Sequence, residues 1–125
     1  MAPGVGAGMA ELAYLGDAVF ELMVRDMLLK SGIPFRDMSR LAKNYVSAVA
    51  QNAMYHKIFD VLTEEEQSII KRGRNLHSAS RSKAARVSEY RHATGLEVLF
   101  GYLYNQGETA RMNELFNECV IAAQL

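Results

Sequence analysis

The chain has 125 residues, 50% of them hydrophobic and 22% charged, with 14 basic and 14 acidic side chains that cancel to a formal net charge of zero. That length sets an expectation of one domain with a real core and leaves no room for a separate full-sized binding domain. No apolar run approaches the roughly 20 residues that span a bilayer, which argues against a membrane protein, and the single cysteine, Cys119, has no internal disulfide partner, which fits a cytoplasmic location.

Met1 to Gly8 is small and apolar, without the basic start and long apolar stretch of a secretory signal; we expect a disordered leader over residues 1–8 and a folded domain over 9–125. From Ala10 to Lys30, Leu12, Leu15, Val19, Leu22 and Met23 recur at three- and four-residue steps, with no proline before Pro34. This predicts one long amphipathic helix ended by Ser31-Gly32. A short helix from Asp37 or Ser39 leads into Tyr45 to Leu62, where Val46, Val49, Ala50, Ala53, Met54, Ile58 and Val61 supply the next apolar stripe. Thr63 followed by Glu66 is a capping-box signature, and Glu64, Glu65 and Glu66 sit where the helix dipole favours negative charge; that helix should run to about Arg72. Gly73 to Ser82 reads as a polar loop. A second strongly apolar helix runs from Ala84 or Ser88 to Asn105, with Tyr90 in the core beside Leu96, Leu99, Phe100, Leu103 and Tyr104, and Gly107 closes it. Glu108 to Ala123 makes the last helix, in which Cys119 is expected to be a buried structural thiol. With no alternating strand pattern and no repeat, the expected architecture is an all-α single-domain bundle of six or seven helices.

The net charge of zero conceals an uneven distribution. Between Lys71 and Arg91 lie seven of the 14 basic residues, Lys71, Arg72, Arg74, Arg81, Lys83, Arg86 and Arg91, against the one acid Glu89. Clustered Lys and Arg are the usual source of phosphate affinity, so this segment is a candidate polyanion contact, with a solvated surface as the plain alternative.

Two short acidic signatures stand about eighty residues apart, Leu15-Gly16-Asp17-Ala18-Val19 and Leu96-Glu97-Val98-Leu99-Phe100-Gly101. A carboxylate set in an apolar helical stripe costs free energy unless it finds a charged partner, and two of them invite a shared cation. Few protein oxygens with open water positions suit Mg²⁺, and Mg²⁺ beside a basic loop suggests phosphodiester chemistry. The structural alternatives are that Asp17 caps a helix starting at Ala18 and that Glu97 pairs with an arginine of a neighbouring helix. Asp17 and Glu21, four residues apart, lean toward one face, and Glu21 either supports the site or pairs within its helix. His56, His77 and His92 have no mutual metal-ligand spacing, which argues against zinc.

The run Leu12-Ala13-Tyr14-Leu15-Gly16-Asp17-Ala18-Val19-Phe20-Glu21-Leu22 closely resembles the signature helix of ribonuclease III, and Leu96-Glu97-Val98-Leu99-Phe100-Gly101-Tyr102-Leu103 resembles that family's second catalytic segment. The Lys71-Arg72-Gly73-Arg74-Asn75 loop, Tyr90-Arg91 before Thr94, and the lack of a double-stranded-RNA-binding segment look like its small subgroup, Mini-ribonuclease III. The resemblance implies an all-α endonuclease domain acting as a homodimer, with Asp17 and Glu97 as catalytic residues and Mg²⁺ ligands and Tyr14 at the dimer contact. It implies hydrolysis of both strands of an RNA duplex to 5′-phosphate and 3′-hydroxyl ends. For the small subgroup it implies the duplex formed by the ends of precursor large-subunit (23S) ribosomal RNA as substrate, with a ribosomal protein as a possible assistant.

Ala10 and Ala13 stand where the larger family carries two glutamates, and Thr94 where it carries an aspartate. These departures resemble the small subgroup and thin the metal site, so one well-held Mg²⁺ is the expectation. Arg72, Arg74, Asn75, Ser78, Arg81, Lys83 and Arg86 are the RNA-contact candidates; they would grip phosphates and 2′-hydroxyls, because A-form RNA hides its base edges in a deep, narrow groove. Two rival readings use the same residues differently: a catalytically inactive RNA-binding module of ribosome assembly, and a helical dimer for protein interaction.

Overall fold

The apolar spacing resolves, in a computed structural model that describes residues 8–76 and 84–124, into six helices and, among those residues, no strand. They are α1 (Met9–Lys30), α2 (Phe35–Val46), α3 (Ala48–Phe59), α4 (Glu64–Arg74), α5 (Ala84–Asn105) and α6 (Thr109–Ala123). The expected leader, apart from Gly8, lies outside the described residues. No described helix is long and apolar enough to cross a membrane.

Helix α1 starts where Gly8 offers its carbonyl to the Leu12 amide at 3.0 Å and stops at Gly32, whose φ of 75° suits a residue without Cβ. Gly107, also at φ 75°, ends α5 in the same way. The expected helix over Tyr45 to Leu62 is instead two elements. Ser47 adopts extended backbone and its Oγ accepts from the Ala50 amide at 3.2 Å, so it caps α3 and leaves Tyr45 and Val46 to α2. Thr63 forms the anticipated capping box: its Oγ1 accepts from the Glu66 amide at 3.1 Å, and Glu66 Oε1 accepts from the Thr63 amide at 2.9 Å.

Helix α5 is the centre of the bundle, with α1, α3, α4 and α6 packed around it. Phe20 on α1 meets Phe100 edge-on at a centroid distance of 5.2 Å and Phe116 of α6 at 5.6 Å, which joins three helices through one aromatic cluster. Leu96, Val98, Leu99 and Phe100 are fully buried, and so are Met54, Ile58, Ile70 and Cys119. Burial pushes the Cys119 thiol well above its ordinary range, as expected of an inert structural cysteine.

Several residues expected in the core are exposed. Leu22 stands two residues from both Phe20 and Val24, hence on the opposite side of α1; Val49 and Tyr104 are exposed on α3 and α5, and Val61 lies in the turn between α3 and α4. Tyr90, expected to pack in the core, is exposed because it precedes Ala93, the first buried residue described in α5.

One buried polar tie joins α4 to α6. Arg111 grips Glu66 with both prongs, Nη2 to Oε1 at 2.8 Å and Nε to Oε2 at 2.9 Å, and Nη2 also donates to the Val61 carbonyl at 2.9 Å. The guanidinium holds the Glu66 carboxyl below its usual range against the opposing pull of burial.

Candidate active site

Glycine brings the two acidic segments together. A Cβ placed on Gly16 would stand 1.7 Å from the Glu97 carbonyl oxygen, and one on Gly101 would stand 2.0 Å from the Leu12 carbonyl oxygen. Backbone therefore touches backbone where α1 crosses α5, and no other residue fits at either position. The crossing sets Asp17, the residue after Gly16, against Glu97 on the facing helix. On its other side α5 is seated on α4 by a second close approach, where a Cβ on Gly73 would lie 2.7 Å from Val98 Cβ and one on Gly95 would lie 2.8 Å from the Ile70 carbonyl oxygen. Glu97 is thus held from two directions.

Asp17 acts directly on Glu97: burial foremost, then the Asp17 charge and a hydrogen bond to its side chain, pushes the Glu97 carboxyl up to about 8. Asp17 is solvent-exposed and Glu97 is partly buried, so the pair has one wet and one sheltered member. Neither structural alternative holds. Asp17 lies in the middle of α1 and caps nothing, and no arginine forms an ion pair with Glu97 among the described residues.

The residues fit a divalent cation: a positive charge between two carboxyls set against each other would relieve the repulsion and burial that push Glu97 up. No group of three or more His, Cys, Asp or Glu side chains able to hold a metal is found among the described residues. Two protein oxygens with the rest of the shell from water and phosphate is the pattern that suits Mg²⁺. Glu21 turns to Arg25 at 3.3 Å along its own helix, both side chains well exposed, and the Thr94 hydroxyl donates to the Tyr90 carbonyl at 2.9 Å.

Of the RNA-contact candidates, Arg72 is exposed on the last turn of α4, Arg74 is half-buried at its end, Asn75 follows as the C-cap, and Arg86 is exposed near the start of α5. Ser78, Arg81 and Lys83 lie outside the described residues. Residues absent from the sequence expectation join this region: His92 Nδ1 is 2.6 Å from Asn52 Oδ1, and its ring lies 4.3 Å from that of Tyr55 and 4.6 Å from that of His56, centroid to centroid. Burial foremost, then the charges of His56 and Arg74, pushes the His92 imidazole below its ordinary value. The helical phase of Ser88, Arg91 and Gly95 was the one available sequence signal for this face. The histidines' partners lie up to forty residues away and left no local trace.

The profile of the Ribonuclease III domain matches residues 10–108. A protein called Mini-ribonuclease 3 from Symbiobacterium thermophilum is 45% identical over 105 residues, covering 83% of this chain and 81% of that protein. A second Mini-ribonuclease 3, from Enterococcus faecalis, is 43% identical over 112 residues, covering 87% and 85%. In three dimensions the chain is similar to a crystal structure of a Fusobacterium nucleatum protein, with a TM-score of 0.81, 34% identity and 96% of each chain covered.

Proposed function

Because the chain belongs to the ribonuclease III family of double-stranded-RNA endoribonucleases, in its Mini-ribonuclease 3 branch, we propose that it is a Mg²⁺-dependent enzyme whose catalytic centre is Asp17 and Glu97. The observation that carries this reading is the close crossing of α1 and α5 at Gly16 and Gly101, which sets Asp17 against Glu97, whose carboxyl is pushed up to about 8. Asp17 and Glu97 would hold the ion, which when bound lowers the pKa of a coordinated water and offsets the charge that grows on the scissile phosphate. Glu97, partly buried on α5, would be held beside Asp17 by the close approaches of α5 to α1 and α4. Asp17, exposed to solvent, opens the site to substrate.

The substrate of the proposal is a duplex at the ends of precursor 23S ribosomal RNA, in the cytoplasm, cut to 5′-phosphate and 3′-hydroxyl ends. The contacts proposed to hold it are Arg72, Arg74, Asn75, Ser78, Arg81, Lys83 and Arg86, and a ribosomal protein is a candidate assistant. The catalytic domain of this proposal spans residues 9–125. Its dimer contact is the outer face of α1, where Tyr14 is 86% exposed and Leu22 65% exposed at helical spacing. The decisive experiment incubates purified protein with a long RNA duplex with Mg²⁺ or with EDTA and analyses the product ends. Cleavage only with Mg²⁺, leaving 5′-phosphates, is expected. Equal cleavage in EDTA, or none in Mg²⁺, would overturn the reading.

A further inference from the structure

Where the end of α4 meets the first half of α5, Arg74, Asn75, Val87, Ser88, Arg91 and His92 line a pocket. No carboxylate lines it, and neither Arg74 nor Arg91 makes an ion pair among the described residues. Arg91 Nε is buried without any hydrogen-bond partner among the described residues. Arg74 is steadied by neutral groups alone, its Nε donating to Asn75 Oδ1 at 3.3 Å and its Nη1 to the Tyr55 hydroxyl at 3.4 Å. Two half-buried guanidiniums that share a pocket without an acid repel each other, and a buried N–H without an acceptor costs further free energy. Such an arrangement is stable in function when the missing negative charge arrives with a ligand.

We propose that this pocket is a phosphate subsite that takes one backbone phosphodiester of the RNA duplex, with Arg91 and Arg74 as charged donors and Ser88, Asn75 and His92 as the polar wall. Guanidinium forks match the geometry of phosphate oxygens, and the Arg91 Nε supplies a donor that no other described residue uses. The scaffold is rigid where it matters. Gly95 lets α5 lie against α4, so that a Cβ there would be 3.2 Å from the Arg74 amide, and Asn52 and Tyr55 clamp His92 from α3. Arg91 lies six residues before Glu97 on α5, which is about 9 Å along the helix axis. Those six residues also turn the side chain about 120° around α5, so a phosphate bound here would lie apart from the carboxyl pair and hold the same duplex at a second point. The inference rests on the duplex-RNA reading above.

The test measures affinity for a labelled RNA duplex in EDTA across a salt series, for the wild type, Arg91→Gln, Arg91→Lys and Asp17→Asn. Loss of one phosphate contact should weaken binding about tenfold at 0.1 M salt and flatten the log–log salt slope by about 0.9. That change is expected in Arg91→Gln, with most of the slope retained in Arg91→Lys. Arg74→Gln is the second variant, with the same expected change, so the outcome does not depend on one variant folding. An unaltered slope in both folded glutamine variants overturns the subsite while leaving the catalytic reading intact. Conversely, Asp17→Asn should bind with the wild-type slope and fail to cleave; undiminished cleavage by it sinks the catalytic reading and not the pocket. A last arm adds inorganic phosphate: thermal stabilisation of the wild type but not of Arg91→Gln, combined with identical RNA slopes, would make the pocket a free-anion site and overturn the assignment to RNA.

Discussion

Glu66 and Glu97 are both carboxyl groups drawn into helix junctions of one small bundle, yet the fold treats them in opposite ways. Glu66 is met by Arg111 in a two-pronged pair, also caps α4, and has its carboxyl held below the usual range. Glu97 is met by another acid and has its carboxyl pushed up to about 8. The first junction is complete within the protein; in the second, burial and a like charge both disfavour the charged form. A carboxyl paired with a base inside the protein serves the structure, whereas one set against a like charge is the arrangement that the proposed cation would complete.

The largest effect that tests this contrast is on turnover. Asp17→Asn and Glu97→Gln should each lower duplex cleavage at least about a thousandfold, because losing several kcal/mol of charge stabilisation at about 1.4 kcal/mol per tenfold removes three orders of magnitude or more. Circular dichroism should show both variants folded. Glu66→Ala should do the reverse, leaving the carboxyl pair intact while destabilising the fold by about 3 kcal/mol, the low end for broken buried pairs because Arg111 is one quarter exposed. Denaturant unfolding measures it, and pH refines it. Since the folded-state value of Glu66 is lowered, the pair's contribution is fully present above its ordinary 4.5 and disappears as acid is added below that. The wild type should therefore lose stability in acid more steeply than Glu66→Ala.

Gly16→Ala probes the crossing that makes the pair. The added methyl meets a backbone carbonyl at 1.7 Å, with no flexible side chain to yield. The expected cost is the upper end of about 1–3 kcal/mol for overpacking, with cleavage falling further than stability alone explains, because α1 must move off α5 and carry Asp17 with it. Wild-type melting temperature and turnover in this variant would contradict the close approach.

How much of this was legible in advance differs by element. The long apolar helices and the capping box at Thr63 declare themselves through local spacing, which is where amphipathic periodicity and cap chemistry act, whereas for Asp17 and Glu97 spacing leaves structural roles open and the resemblance of their segments to the family singles them out. Ser47 was missed because one hydroxyl, by capping α3, divides a stripe whose periodicity continues across it. Leu22 and Tyr90 are apolar yet exposed, since burial depends on what covers a face and not on the residue. The contacts of Gly16 with Glu97 and of His92 with Asn52 lie 81 and 40 positions apart, and only the packed bundle brings them together.

A smaller effect comes from Glu97 itself in the metal-free protein. Its folded-state value lies above its ordinary 4.5, so the folded chain holds a proton that the unfolded chain releases, and stability falls as pH rises from about 4.5 to about 8. Glu97→Gln removes the titration and keeps the shape. In EDTA at pH 8 it should be more stable than the wild type by about 2 kcal/mol, the upper range for replacing a strained functional residue, and the difference should shrink toward pH 5. A wild-type melting temperature that rises between pH 5 and pH 8 more than that of Glu97→Gln would contradict the buried, like-charged setting.

The smallest effect belongs to Glu21, and its smallness is informative. It lies one turn beyond Asp17 on α1, close enough in sequence to be counted with the carboxyl pair, yet its partner is Arg25 on the same helix and both side chains are well exposed. An exposed pair of this kind contributes about 0.3 kcal/mol. Glu21→Gln should accordingly leave the melting temperature within error and cleavage within about twofold of the wild type at saturating Mg²⁺. Titrating Mg²⁺ sharpens the point: a carboxylate that helped to hold the ion would raise the Mg²⁺ concentration needed for half-maximal cleavage when removed, whereas one engaged with Arg25 would leave it unchanged. A tenfold rise would bring Glu21 into the site and show that its orientation toward Arg25 is given up when the cation binds.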